Sequence, residues 1–229
     1  MTAAQGATRL TAPVEDYLKV IFELETEGGG IAGTNEIAAA LQIAPASVSG
    51  MIRRLAEQGL IAHERYRGVC LTRSGRRAAL RTIRRHRVIE AYLTTALGYP
   101  WDRVHDEAER LEHAASDELI DRMAEAIGEP TTDPHGAPIP TREGTMEEPQ
   151  LVALGTLAVG ARACVHRVSD RDPEQLRYLA DVGIVPGRHV EIVSCEPFGG
   201  PIGLRVGGVM RSIGPSLANQ ILVSAVSAG

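Results

Sequence analysis

The 229-residue sequence is poor in aromatic side chains, with one Trp, five Tyr and two Phe. That excludes the stacked-ring platform with which proteins hold single-stranded nucleic acid. Lysine is nearly absent. Lys19 stands alone beside 23 arginines, a bias that reads as genomic composition, so arginine by itself is no sign of phosphate binding. Cysteine is scarce too. Cys70, Cys164 and Cys195 are odd in number and widely spaced, which excludes a disulfide framework and a Cys-x-x-Cys metal knuckle. They read as ordinary apolar residues. No window of about 18 apolar residues exists to cross a membrane. No charged-then-apolar leader pattern opens the chain, so a cytoplasmic protein is expected. What is present is ordinary for a globular chain, with 44% hydrophobic and 23% charged residues, enough for one large domain or two small ones.

The net charge of −5 argues at face value against a nucleic-acid partner, but it is a sum of opposites. From Ser47 to Val88 there are eleven arginines against Glu57 and Glu64, a net of +9. From His105 to Gln150 there are thirteen acids against three arginines, a net of −10. Distribution matters more than the total for a DNA-binding surface.

The patterning divides the chain into four segments. Val14, Tyr17, Leu18, Ile21 and Leu24 recur at helical spacing and stop at Gly28-Gly29-Gly30. Thr34 is placed to cap a short helix carrying Ile37, Ala38 and Leu41. Pro45 opens a second helix with Val48, Ile52 and Leu55 inward, ending at Gly59. Leu60–Arg65 and Val69–Thr72 then read as a hairpin turned at Gly68. A helix-turn-helix followed by a hairpin is a winged helix, expected over residues 1–75. Residues 76–130 read as a helical segment: a long arginine-rich helix to about Leu97, another over Trp101–Ala115, and a third capped by Ser116. Residues 131–155 carry most of a five-proline stretch and read as a linker. Residues 156–229 alternate short apolar runs with Gly and Pro around one helix, Pro173–Ala180, and read as a small β-barrel. The fold class is mainly α with a small β portion.

The sharpest chemical signal is His105-x3-Glu109-x2-Glu112-His113 on one predicted helix. At about 100° per residue these four side chains share an arc of about 100°. Converging carboxylates and imidazoles suit a six-coordinate hard or borderline divalent ion. His86 and Glu90, at i and i+4, join from the preceding helix. A charged solvent-facing helix is the competing reading. His63, His135, His166 and His189 stand alone and read as surface or core histidines. There is no His-Glu-x-x-His pattern and no defensible Ser-His-Asp or Cys-His arrangement.

The outward face of the Pro45–Gln58 helix carries Ala46, Gly50 and Arg53, flanked by Ser47, Ser49 and Arg54. Small residues allow close approach to base edges, and arginines reach bases or phosphates. Arg65 and Arg67 at the hairpin tip suit adjacent phosphates or the minor groove. Duplex DNA is the expected partner.

At this point the sequence resembles the metal-dependent repressors of the diphtheria toxin repressor family over nearly its whole length. Glu15-Asp16-Tyr17-Leu18-Lys19-Val20-Ile21-Phe22-Glu23-Leu24 is similar to the family's first helix. Arg85-His86-Arg87-Val88-Ile89-Glu90 and Val104-His105-Asp106-Glu107-Ala108-Glu109-Arg110-Leu111-Glu112-His113 resemble its metal-binding and dimerisation helices. Asp133-Pro134-His135-Gly136-x-Pro138-Ile139-Pro140 resembles its linker. Leu179–Gly187 resembles the start of the barrel shared with FeoA-like proteins. The resemblance implies a primary site of Asp16, Glu109, Glu112 and His113. It implies an ancillary site of His86, Glu90 and His105, closed by Asp172 and Gln175 from the barrel.

Iron-sensing relatives place Met and Cys where this chain has Asp16 and Glu109. Two carboxylates in place of two sulfurs harden the site and favour Mn²⁺, with Fe²⁺ as the alternative. Small manganese sensors have a glutamate at the position of Lys19, which cannot ligate while charged; two separated sites are expected instead. The expectation is a homodimeric, Mn²⁺-activated repressor of palindromic duplex operators, with no membrane and no organic small-molecule substrate. A metal-dependent hydrolase is the rival from another class; it would need a general base and a substrate motif that the sequence does not supply.

Overall fold

A computed structural model describes residues 10–64 and 68–225. The chain forms two compact units. One takes the chain up to Arg84 together with Pro140–Met146; the other takes Arg85–Ile139 and the chain from Glu147 on.

The first unit holds α1 (Ala12–Gly28), α2 (Thr34–Ala40), α3 (Pro45–Glu57), the strands β1 (Ile61–Glu64) and β2 (Gly68–Leu71), and the first half of α4 (Arg73–Leu97). Its core joins Val14, Leu18 and Ile21 of α1 to Ile37, Val48, Leu55, Val69 and Ile83. This is the winged helix-turn-helix that the periodicity predicts. The hairpin pairs Ile61 with Leu71 through Glu64 with Gly68. Its tip, with Arg65 and Arg67, lies outside the described residues. One detail differs. Thr34 does not cap α2; Gly33 is the cap residue, and its amide donates to the Glu36 carboxylate at 2.8 Å. The wing is tied back to α1 by Glu25, whose carboxylate accepts from the Leu71 amide and lies 3.5 Å from Arg76. Burial holds the Glu25 carboxyl above its usual range.

The second unit contains the rest of α4, then α5 (Val104–Leu111), α6 (Asp117–Ala126) and a sheet domain. Ser116 caps α6 as expected, accepting from the Leu119 amide. The helix predicted over Trp101–Ala115 is shorter, because a turn closed by Arg103 N–H on the Pro100 carbonyl occupies its start. The sheet is antiparallel and six-stranded, in the order β3-β8-β4-β5-β6-β7. Its strands are β3 (Val152–Ala153), β4 (Arg162–Val168), β5 (His189–Cys195), β6 (Ile202–Val206), β7 (Val209–Ile213) and β8 (Ile221–Ala225), with α7 (Pro173–Val182) and the short α8 (Pro215–Ala218) between them. Register shifts at Val165/Arg167 and Ile192/Ser194 bend β4 and β5, as bulges do. Leu176 and Leu179 of α7 enter the same core as Val165, Ile192 and Leu204.

The segment read as a linker is packed chain rather than a loose tether. Asp133, His135 and Ala137 are buried, and Val152 and Ala153 already pair with β8. The prolines mark irregular backbone, and Asp133 organises it. Its Oδ1 accepts from the His135 and Ala137 amides at 2.8 and 3.0 Å, the local turn that a short carboxylate makes with its own backbone.

Candidate metal centre

Helix α4 carries His86 and Glu90 one turn apart, both on the buried side of the helix. Their neighbours come from three other segments of the same unit. His105 and Glu109 lie on α5 and Glu112 caps its end; Asp133 and His135 lie in the buried turn after α6; Asp170 lies just before α7. His86 Nε2 is 3.0 Å from Glu90 Oε1 and 3.2 Å from His105 Nδ1. His86 Nδ1 is 2.5 Å from Glu112 Oε2 and 3.6 Å from Glu109 Oε1. His105 Nδ1 is 3.5 Å from Glu90 and 3.7 Å from Asp170 Oδ2. His135 Nδ1 is 3.8 Å from Glu90 Oε2. Three groups in this unit place ligand atoms within 4.8 Å of one another: His86, Glu90, His105 and Asp170; His86, Glu109 and Glu112; Glu90, Asp133 and His135. A six-coordinate ion with arms of about 2.1 Å sets its ligands about 3 to 4.3 Å apart.

The electrostatics favour a cation here. Burial alone would raise the Glu90 carboxyl, but His105, His135 and His86 hold it well below its ordinary value. Burial alone would lower His135, yet Glu90, Asp133 and Asp170 push it up to about 9. His105 is raised by Glu90 and Asp170 against its own burial. Asp133 is pushed up to about 6, first by burial and then by the Glu90 charge. The acids here thus draw protons to ring nitrogens of His105 and His135 that would otherwise face a metal. Among the described residues Glu90 Oε2, Asp133 Oδ2 and His135 Nδ1 are buried with no hydrogen-bond partner, though Arg87 Nε stands 3.6 Å from Asp133 Oδ2. Buried polar atoms without partners are uncommon and call for an occupant. Carboxylate and imidazole groups clustered in this way fit a divalent cation, and none of the three cysteines belongs to any of these groups.

Metal loading near neutral pH is thus expected to release protons. Apparent affinity should rise with pH by about tenfold per proton displaced per unit and level off above about pH 9, as His135 loses its proton. Isothermal titrations in buffers of different ionisation enthalpy would count the protons.

Asp172 and Gln175, expected from the resemblance to close this site, are not brought to it. Asp172 caps α7, accepting from the Glu174 and Gln175 amides at 2.8 and 3.3 Å, and Gln175 Nε2 donates back to its carboxylate at 2.9 Å. Those bonds hold its carboxyl below the usual range. A free helix N-terminus claims a carboxylate strongly; Asp170, two residues earlier, faces His105 instead. Asp170→Ala is expected to weaken metal binding, whereas Asp172→Ala should destabilise α7 and leave metal affinity unchanged. Equilibrium dialysis beside thermal unfolding separates the two.

His113 lies beyond the end of α5, with Nε2 3.5 Å from Glu112 Oε1. Asp16 lies on α1 in the other unit and is half-buried. In that unit the outward residues of α3, Ala46, Ser47, Ser49, Gly50, Arg53 and Arg54, are all exposed, while Val48, Ile52 and Leu55 are buried. A side chain at Gly50 would meet nothing within 4 Å, so the face is open to a large ligand. Arg53 is held by Glu57 at 3.4 Å in an exposed pair, easily exchanged for a phosphate.

Comparison with known proteins agrees with this division of labour. An iron-dependent repressor N-terminal DNA-binding domain matches residues 9–69, the same family's metal-binding and dimerisation domain matches 72–141, and a FeoA domain matches 152–225. The iron-dependent repressor IdeR of Mycobacterium tuberculosis (strain ATCC 25618 / H37Rv) is 34% identical over 203 residues, covering 83% of this chain and 87% of its own. The chain belongs to the diphtheria toxin repressor family. This repressor also superposes on a manganese-dependent transcriptional repressor solved in complex with manganese, with a TM-score of 0.87 and 40% identity over 93% of this chain and all of that one. The repressor ScaR, solved with bound Zn²⁺, gives 0.80 at 30% identity, covering 93% of this chain and 99% of that one. The protein is a metal-dependent transcriptional repressor with a DNA-binding head, a metal-binding and dimerisation segment and a FeoA domain.

Proposed function

We propose that this repressor is activated by Mn²⁺ and, as a homodimer, binds palindromic duplex operators that control manganese uptake. The observation that carries the reading is the buried trio of Glu90, Asp133 and His135, whose inward atoms have no hydrogen-bond partner among the described residues. Every donor near them is carboxylate or imidazole, a set that suits Mn²⁺ better than metals drawn to sulfur. The 40% identity to a manganese-dependent repressor supports the same choice. Fe²⁺ is the alternative, since the relatives named IdeR are iron-dependent.

In this reading His86, Glu90, His105, Asp133, His135 and Asp170 hold one cation, and Glu109, Glu112 and His113, with Asp16, hold the second. The bound ion supplies positive charge and directed bonds among carboxylates that otherwise repel. Asp16 belongs to the DNA-binding head and is the residue through which the head would answer to metal. The exposed apolar side chains Leu97, Leu111 and Leu119 lie in the segment matched as the dimerisation domain and would face a second copy. Two α3 helices about 34 Å apart would then meet successive major grooves. Ala46 and Gly50 allow close approach, and Arg53 and Arg54, with Arg65 and Arg67 on the wing, reach bases and phosphates. A metal at 100 times its dissociation constant shifts the balance by about 2.7 kcal/mol per site. No hydrolase is proposed, because the family is one of repressors.

Equilibrium dialysis with Mn²⁺, Fe²⁺ without oxygen and Zn²⁺, followed by a DNA mobility shift, tests the reading. Mn²⁺ is expected to produce the retarded complex at the lowest free concentration. Activation by Fe²⁺ at a lower concentration would overturn the metal choice, and a shift independent of metal would overturn activation itself.

A further inference from the structure

We propose that Arg177, on helix α7 of the FeoA domain, is a positioning residue for His135, acting through Asp102 and Trp101. The inference rests on His135 binding a cation, as proposed above, and adds what aims it.

His135 Nε2 lies 2.8 Å from the main-chain carbonyl of Trp101. A carbonyl has no proton to give, so Nε2 carries the N–H and Nδ1 is the atom turned toward Glu90. Metal-bound histidines are commonly fixed this way, by a carbonyl on the far nitrogen. The Trp101 indole also stacks on the imidazole, with centroids 5.8 Å apart and planes at 25°. Both the tautomer and the tilt of His135 therefore depend on where Trp101 sits.

Trp101 lies in the connection between α4 and α5, a stretch of turn and irregular backbone. That stretch is held from the FeoA domain at two points. The indole packs against the domain's core. The next residue, Asp102, receives Arg177 Nη1 at 2.9 Å, with its own side chain only 10% exposed. The same domain supplies Asp170 toward His105. It thus acts on the cluster by two arms, one a carboxylate and the other a grip on the turn that orients His135. Arg177 is half-exposed, at 54%, so water can take its place at Asp102 and the pair adds little to stability. A pair that aims a ligand is felt in metal affinity instead, where a lost outer partner costs about 10- to 100-fold.

Trp101 is the sole tryptophan, so its emission reports on this site directly. Paramagnetic Mn²⁺ bound beside His135 should quench it saturably in the full-length protein. Arg177→Ala is expected to raise the Mn²⁺ concentration for half-quenching about tenfold, at the lower end of that range. Asp102→Asn, the nearest isostere at the other end of the latch, should give the same shift. Arg177→Lys should restore most of the affinity, and the metal-free unfolding temperature should stay close to wild type in all three. Half-quenching unchanged in both Arg177→Ala and Asp102→Asn, while the wild type binds Mn²⁺, overturns the latch alone. A fall in affinity that only tracks lost folding, with no rescue by lysine, overturns it as well. If the wild type shows no saturable quench and Glu90→Gln behaves like it, the cation site itself is wrong and the latch falls with it.

Discussion

Gly136→Ala is expected to abolish the Asp133–His135 arm of the metal site and to cost several kcal/mol of stability in the same step. Gly136 has φ of +89°, in the region that side-chain-bearing residues avoid at a cost of about 1–2 kcal/mol. Space is the harder limit. A Cβ there would lie 1.7 Å from the His166 carbonyl oxygen, 2.8 Å from its carbon and 3.1 Å from Arg167 Cα. All three are backbone atoms of β4, so no rotamer change relieves the clash. The turn would have to lift off the strand, breaking the bond from Val168 N–H to the His135 carbonyl. It would also pull Asp133 Oδ1 from the amides it serves, and Nδ1 of His135 away from Glu90. Losses above about 4 kcal/mol come from few mechanisms, and a backbone clash at a positive φ is one. Thermal unfolding and Mn²⁺ dialysis of the variant check both halves. Wild-type values for either would show that the turn is free to move and that the cluster does not need it.

The same turn shows where reading the residues in order stops. The helical parts of the fold follow from local periodicity. Val48, Ile52 and Leu55 are spaced to bury one side of α3, and they do. His86 and Glu90 are four apart on a helix, so their meeting follows from helix geometry. Glu109 and Glu112 follow in the same way. Asp133, His135 and Asp170 have no such warrant. Asp133 and His135 are two residues apart in a proline-rich stretch, and Asp170 precedes a helix 80 residues beyond Glu90. Only the fold places them beside Glu90. His135 alone reads as a surface or core histidine rather than a ligand, and its neighbour Asp133, with Pro134 between, is the available clue. Asp172 misleads for an identifiable reason: it sits where a helix N-terminus competes for its carboxylate, and the cap wins. Strand β7 carries no alternation in the sequence by which a strand is recognised, because Val209 and Met210 are both exposed.

Glu90→Gln should remove metal-dependent DNA binding while leaving the metal-free chain folded, because Glu90 serves both states. Its carboxylate is fully buried among His86, His105 and His135. An amide keeps the volume but carries no charge for a cation, so metal affinity is expected to fall by more than the roughly 100-fold upper range of an outer partner. Removing one member of a buried pair usually costs about 3–5 kcal/mol, because the other is left charged. Here the partners can shed the charge. Without Glu90, burial is the dominant influence on His135, and burial lowers its affinity for a proton. The pH dependence of the metal-free protein carries the distinguishing sign. In the wild type, His135 is raised above its unfolded value of 6.5 to about 9, so its contribution to stability is complete below pH 6.5 and fades as pH climbs through 9. In Glu90→Gln that decline should vanish. Unfolding temperatures of both metal-free proteins between pH 6 and about 9.5 decide it. Parallel curves would mean that Glu90 does not hold the His135 proton, and with it the argument that metal and proton compete for one position would fail.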